Sequence, residues 1–149
     1  MKQKGINRIV IAVWNLTEAK LYFEQLLGAE FAPENIDGEA ASFGVQVAMA
    51  WEVGIELVSP LPEVSSHIRD DMENTGEGIK GVVFAVENAD LTMKAGEKLG
   101  MNSHYYLDYS AEQIDAKCQG RFDMYKEYFV AADAPLNTTV LFGEFVDRH

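Results

Sequence analysis

Ile6-Asn7-Arg8-Ile9-Val10-Ile11-Ala12-Val13, followed by Trp14-Asn15-Leu16-Thr17-Glu18, is the stretch on which the reading of this chain turns. Its β-branched run predicts a buried strand over residues 6–13. Asn15 stands where a side chain caps the next helix, with Glu18 placed to reach back in a capping box. Ala19, Tyr22, Phe23, Leu26 and Leu27 then recur at helical spacing and predict one buried face, which Gly28 ends. Two further strands are expected over residues 42–51 and 54–59, stopped by Pro60 and Pro62.

The same signals return later in the chain. Val82-Val83-Phe84-Ala85-Val86 reads as a strand, Asn88 repeats Asn15 at an offset of 73, and Leu99 repeats Leu26. Residues 54–60 match residues 139–145 at an offset of 85, so the second copy carries about twelve extra residues, assigned to 108–120. This is an internal duplication of a βαβββ unit. One such unit leaves a sheet face uncovered, and two together can close a core. The expected fold is α+β, with two tandem βαβββ modules forming a cupped, mostly antiparallel sheet. It spans residues 1–149 as one domain: module one at 1–61, a linker with a short helix at 62–76, and module two at 77–149.

The order and spacing of these elements resemble the vicinal oxygen chelate superfamily, which includes glyoxalase I, methylmalonyl-CoA epimerase, extradiol dioxygenases and bleomycin-resistance proteins. Besides the opening stretch, the likeness rests on Ile55-Glu56-Leu57-Val58-Ser59-Pro60, the run from Gly76 to Val86, and Glu127-Tyr128-Phe129 leading into residues 140–145. It covers nearly the whole chain apart from the insert. In metal-using members the resemblance implies one divalent ion held by residues from four strands. Transferred by position, the first-strand histidine falls on Arg8 and the Gln/Glu ligand on Glu56. The histidine opening the second unit falls on Gly81, with Lys80 beside it, and the last-strand glutamate falls on Leu141. Glu144, three residues on, is expected to face the other way. One donor of four remains, so no divalent metal and no other cofactor is expected.

Two readings of Arg8 and Glu56 stay open. The guanidinium can stand in for the ion as a polar anchor for a ligand's carbonyl or carboxylate, or the pair can serve only to neutralise Glu56 and order the sheet. Strand alternation places Val10, Ala12, Val58, Val83, Ala85 and Gly143 on the faces of the four positions. Several are small, so the cup is expected to be roomy. Ile9, Ile11, Val13, Leu57, Phe84 and Phe142 face the opposite way, suited to helices. Tyr105 and Tyr125 are candidates to wall the cup, and Trp51 to cover its mouth or to meet a second subunit.

Composition narrows the rest. The 149 residues suit one domain, and 48% hydrophobic with 24% charged content matches a soluble chain. Twenty-four acidic residues against 12 basic ones leave a net charge of −12, the opposite of the basic footprint that nucleic acid or an anionic membrane requires. That charge would favour a cationic ligand. Cys118 is the single cysteine, which excludes an internal disulfide and suits a reducing cytoplasm. No apolar run approaches the roughly 20 residues that cross a bilayer. Nucleophile-elbow, Walker and H-E-x-x-H motifs are absent, and His67, His104 and His149 are scattered. Asn15-Leu16-Thr17 and Asn137-Thr138-Thr139 spell glycosylation sequons, which carry no weight in a cytoplasmic protein.

The main functional reading is a metal-independent protein binding a small organic ligand, cationic or aromatic, in the cup. Arg8, Glu56, Trp51, Gly81, Tyr105, Tyr125 and Leu141 are its candidate site residues. The alternative is an isomerase, epimerase or lyase of the glyoxalase type. It is metal-free with Glu56 as general base and Arg8 as electrophile, or metal-dependent if the ligand positions lie elsewhere. The resemblance also implies a homodimer.

Overall fold

Asn15 and Asn88 open the two principal helices, as their spacing predicts. Each side-chain oxygen accepts from a backbone amide three residues on, Asn15 from Glu18 and Asn88 from Leu91, both at 3.0 Å. Each cap contributes about 1 kcal/mol to its helix. The protein is described by a computed structural model over residues 1–36, 38–130, 136 and 139–149, and it is α+β. The second sequon falls on Asn137 and Thr138, outside the described residues.

The chain divides into two compact units, Arg8–Lys80 and Met1–Asn7 with Gly81–His149. The division runs through strands β1 (Gly5–Ala12) and β4 (Gly78–Ala85). The Arg8–Lys80 unit holds most of β1, helix α1 (Leu16–Leu27), a short helix α2 (Glu39–Ser42), strands β2 (Val45–Ala50) and β3 (Ile55–Pro60), and helix α3 (His67–Thr75). β3 pairs with β1 in parallel and with β2 antiparallel. The strand expected over 42–51 is therefore shorter. Its first residue is helical, and Trp51 begins a 3₁₀ turn that Gly54 closes with φ 67°.

The βαβββ pattern asks for three strands after the first helix, of which the sequence located two, and two form. The missing one survives as an extended segment bridged to β2, through Ala32 N to Met49 O at 2.9 Å and Asn35 N to Val47 O at 2.8 Å.

The buried face expected of α1 is also narrower than its apolar spacing suggests. Leu16 is buried, and Ala19 and Phe23 pack on Val13, Ile55 and Leu57. Tyr22 and Leu26 are each 60% exposed and Leu27 is 50% exposed. The sheet meets the helix along the row of Leu16, Ala19 and Phe23; Tyr22 and Leu26 lie a row to one side.

The other unit carries β4, helix α4 (Ala89–Lys98), strand β5 (Ser103–Asp108), helix α5 (Ala111–Cys118), and strands β6 (Phe122–Val130) and β7 (Val140–Asp147). β7 lies between β4, parallel, and β6, antiparallel, and β5 is outermost. Residues 108–120, read from sequence as the insert, hold α5, which a reciprocal capping box between Ser110 and Gln113 opens. Phe142, Val130 and Met93 form the core under α4, with Phe84 packed against them. The first residues of the chain extend this sheet, since Gln3 N donates to Phe145 O and Asp147 N to Met1 O.

Gly76-Glu77-Gly78-Ile79-Lys80-Gly81 has the glycine spacing of a dinucleotide loop. It leaves helix α3 and enters strand β4, the reverse of the strand-to-helix order such a loop needs. Among the described residues no helix is long and apolar enough to cross a membrane.

Candidate functional site

Parallel register between β1 and β3 pairs Ile9 with Ile55 and Val10 with Glu56, which puts Arg8 beside Gly54. Arg8, Val10 and Glu56 project from the same face. With no side chain on Gly54 in the way, the guanidinium reaches along β3, and Arg8 Nε donates to Glu56 Oε1 at 2.6 Å. Both side chains are largely withdrawn from water, at 4% and 16% exposure. Trp51, at the start of the turn after β2, sets its ring centroid 5.6 Å from Arg8 Cζ. A buried guanidinium thus lies against a carboxylate and an indole, and a guanidinium stays charged in any protein setting.

Farther along this face the expected roominess fails. Ala12 and Val58 are buried with Ala40 and Met72, and Phe43 and Ile68 pack on them. Helices α2 and α3 cover the small residues there, leaving the Arg8 and Glu56 end as the polar part of the face.

In the other unit, Val83 pairs with Leu141 and Ala85 with Gly143, while Glu127 pairs with Gly143 and Tyr125 with Phe145. Gly81, Leu141, Tyr125 and Glu127 therefore share one face. Leu141 leans over Gly81 so closely that a Cβ added there would lie 2.9 Å from Leu141 Cδ1. Tyr125, 3% exposed, packs its ring on Phe145 and Tyr109, each at 4.9 Å between centroids. Tyr105 is 37% exposed on the outermost strand, its ring 5.7 Å from that of Phe129.

Glu144 faces the opposite way, as alternation predicts. It accepts from the Ala89 amide at 3.1 Å, at the start of α4, and from Lys2 Nζ at 3.0 Å. Burial pushes its carboxyl up, but the Ala89 amide and Lys2 outweigh this and hold it below the ordinary range. On the same side Tyr128 donates to Asp90 at 2.7 Å. Burial, then that hydrogen bond, push its phenol up to about 12.

Of the seven residues singled out from sequence, the structure joins Arg8, Glu56 and Trp51 in one cluster and sets Gly81 against Leu141. Tyr125 belongs to an aromatic core, and Tyr105 to the sheet margin. Sequence reasoning did not single out Glu127, which is 1% exposed and alternates along β6 with Tyr125 and Phe129. The alternation Tyr125, Glu127, Phe129 was the available signal. A glutamate in such a run is usually a solvated residue, which hides it. Among the described residues, no three His, Cys, Asp or Glu side chains gather as a group that could hold a metal ion.

No protein-family description matches the chain, and no curated protein does. Solved structures do. The hypothetical protein BH1468 from Bacillus halodurans C-125 aligns with a TM-score of 0.69 at 18% identity, over 99% of this chain and 96% of that one. A variant of Streptomyces coelicolor methylmalonyl-CoA epimerase, in complex with 2-nitronate-propionyl-CoA, aligns at 0.70 and 17% identity over 94% and 96% of the two chains. Methylmalonyl-CoA epimerase from Mycobacterium tuberculosis aligns at 0.69 and 18% identity over 97% and 89%. The fold is that of the vicinal oxygen chelate proteins. At these identities the likeness establishes the fold and no more.

Proposed function

We propose that this chain is an isomerase of the epimerase type, moving a proton at a carbon beside a carbonyl without a metal ion. The observation that carries the proposal is the Arg8 Nε to Glu56 Oε1 contact at 2.6 Å, on the face where the resemblance puts the metal ligands. The structural likeness to methylmalonyl-CoA epimerases supports the reaction class and suggests an acyl thioester as substrate.

The four positions do not suit a divalent ion, which asks for three or four donors. Leu141 fills the space a side chain at Gly81 would take, and neither residue is a donor. Arg8 adds a fixed positive charge, and the one carboxylate already accepts from it. No step is routed through a metal.

In the proposed reaction the Glu56 carboxylate takes the proton from the carbon, and the C–H electron pair moves into the carbonyl as an enolate. The Arg8 guanidinium stabilises the oxygen where charge develops. Return of the proton from Glu56 restores the carboxylate, and the centre is inverted when the enolate has first turned its other face to that carboxyl. A cytoplasmic homodimer is part of the same proposal, resting on the resemblance and the single cysteine.

A second reading, binding of a small organic molecule without turnover, is favoured by the same contact, because the guanidinium occupies a carboxylate oxygen that a base would use. Incubation with methylmalonyl-CoA in D₂O separates the two. The isomerase incorporates deuterium at the α-carbon, and Glu56→Gln lowers the rate at least about 100-fold. A raised melting temperature with no deuterium uptake overturns catalysis in favour of binding.

A further inference from the structure

We infer that Trp51 is a positioning residue for Arg8, holding the guanidinium in the orientation that directs Nε at Glu56. The inference deepens the proposal above and rests on it for its catalytic consequence, but its structural part can be tested alone.

An arginine beside a carboxylate can present several N–H groups to it, and the long side chain has many rotamers. Here Nε is the donor, at 2.6 Å. The Trp51 ring, 5.6 Å from Arg8 Cζ, bounds the guanidinium on another side and narrows the orientations open to it. The indole is fixed in turn by the backbone. Trp51 follows directly on β2, whose pairing with β3 runs to Ala50 and Ile55. The turn then closes by Gly54 N donating to Trp51 O at 3.2 Å, and Gly54 O accepts from Ile9 N at 2.9 Å. A single short turn therefore ties Trp51 to the strand that carries Arg8 and to the strand that carries Glu56. An indole face attracts a guanidinium most strongly where water is excluded, and Arg8 is 3% exposed.

Under the isomerase reading, an Arg8 that rotates freely would still bind a carbonyl compound. It would less often face the developing oxyanion, so losses fall on kcat rather than KM.

The test uses the full chain and needs no substrate for its first part. In ¹⁵N-labelled protein the Arg8 Nε–H resonance, assigned by its loss in Arg8→Lys, is expected to be shifted downfield and protected from solvent exchange. Trp51→Leu should speed that exchange about tenfold or more, while Trp51→Phe, which keeps an aromatic face, should largely preserve protection. An Arg8 signal unchanged in Trp51→Leu overturns the inference. Should Trp51→Leu fail to fold, the Trp14→Phe background leaves Trp51 as the only tryptophan. Its emission should then shift on Arg8→Met, and an unmoved spectrum overturns the inference. If deuterium incorporation proves measurable, Trp51→Leu should lower kcat about tenfold with KM changed less than twofold. Loss of Arg8 protection in a protein with no turnover would sustain the positioning role while refuting the isomerase.

Discussion

Leu141 and Gly81 fit together as a pair: the leucine's Cδ1 comes within 2.9 Å of where a Cβ on the glycine would stand. By the resemblance, a histidine is expected at the position of Gly81 and a glutamate at that of Leu141. Here a large side chain and an absent one have exchanged volume across β4 and β7. A methyl group there meets the far end of the Leu141 side chain, which has to move aside, and Gly81→Ala is expected to destabilise by no more than about 1 kcal/mol through overpacking. Leu141→Ala should recover most of that cost in the double variant. Urea unfolding of the four proteins measures the coupling, and additive effects would mean the two side chains do not compete for space.

Arg8 and Glu56 should be coupled in stability as well as in chemistry. Arg8→Met alone leaves a carboxylate with little access to water, and such losses cost about 3–5 kcal/mol. Arg8→Met with Glu56→Leu should cost clearly less than the two single variants added. Thermal or urea unfolding of the cycle gives the interaction energy directly. Independent effects would reduce the pair to two unrelated side chains.

The Glu144 anchor predicts a defined pH window. Its carboxyl is held low in the folded protein by the Ala89 amide and Lys2, against the upward push of burial. A group with a depressed folded-state pKa contributes stability above its unfolded value, near 4.3, and loses it as pH falls through the folded value. At pH 7, Glu144→Gln should therefore destabilise by about 1–2 kcal/mol. The difference from wild type should shrink steadily below pH 4. A difference that stays constant down to pH 2.5 would show that the charge is not what Ala89 and Lys2 hold.

Tyr128 gives the opposite sign at the alkaline end. With its phenol pushed up to about 12 by burial and by the hydrogen bond to Asp90, its contribution is complete below its unfolded value near 10. That contribution is then lost as pH rises toward the folded value. Absorbance at about 295 nm should show tyrosines ionising late, Tyr106 and Tyr128 among them, with one such step lost in Tyr128→Phe and moved to lower pH in Asp90→Asn.

Much of this architecture was legible in the sequence because it is written in local signals. Asn15 and Asn88 cap helices for reasons confined to four residues, and Phe84 and Phe142 face α4 because strand alternation leaves no other choice. The Arg8 and Glu56 pairing was legible through the resemblance, which put both residues on one face. What escaped depended on partners distant in sequence. Tyr22 and Leu26 of α1 match the spacing of Phe23, but only a narrow row of the helix lies against the sheet. Ala12 and Val58 are small and inward, yet α2 and α3 close over them. Glu127 looks like any charged residue in a strand until the register sets it opposite Gly143 on the face of β6 that it shares with Tyr125, where it is 1% exposed.

The central claim is proton transfer by Glu56, with Arg8 stabilising the enolate and no metal, and one measurement addresses it most directly. Protein purified without a histidine tag is offered Mn, Co, Ni, Zn and Fe(II), its bound metal is counted per chain, and deuterium incorporation into methylmalonyl-CoA is then followed after exhaustive chelation. The account predicts no stoichiometric metal and an undiminished rate that Glu56→Gln abolishes. A stoichiometric ion whose removal stops incorporation, and which Glu56→Ala cannot retain, would contradict it.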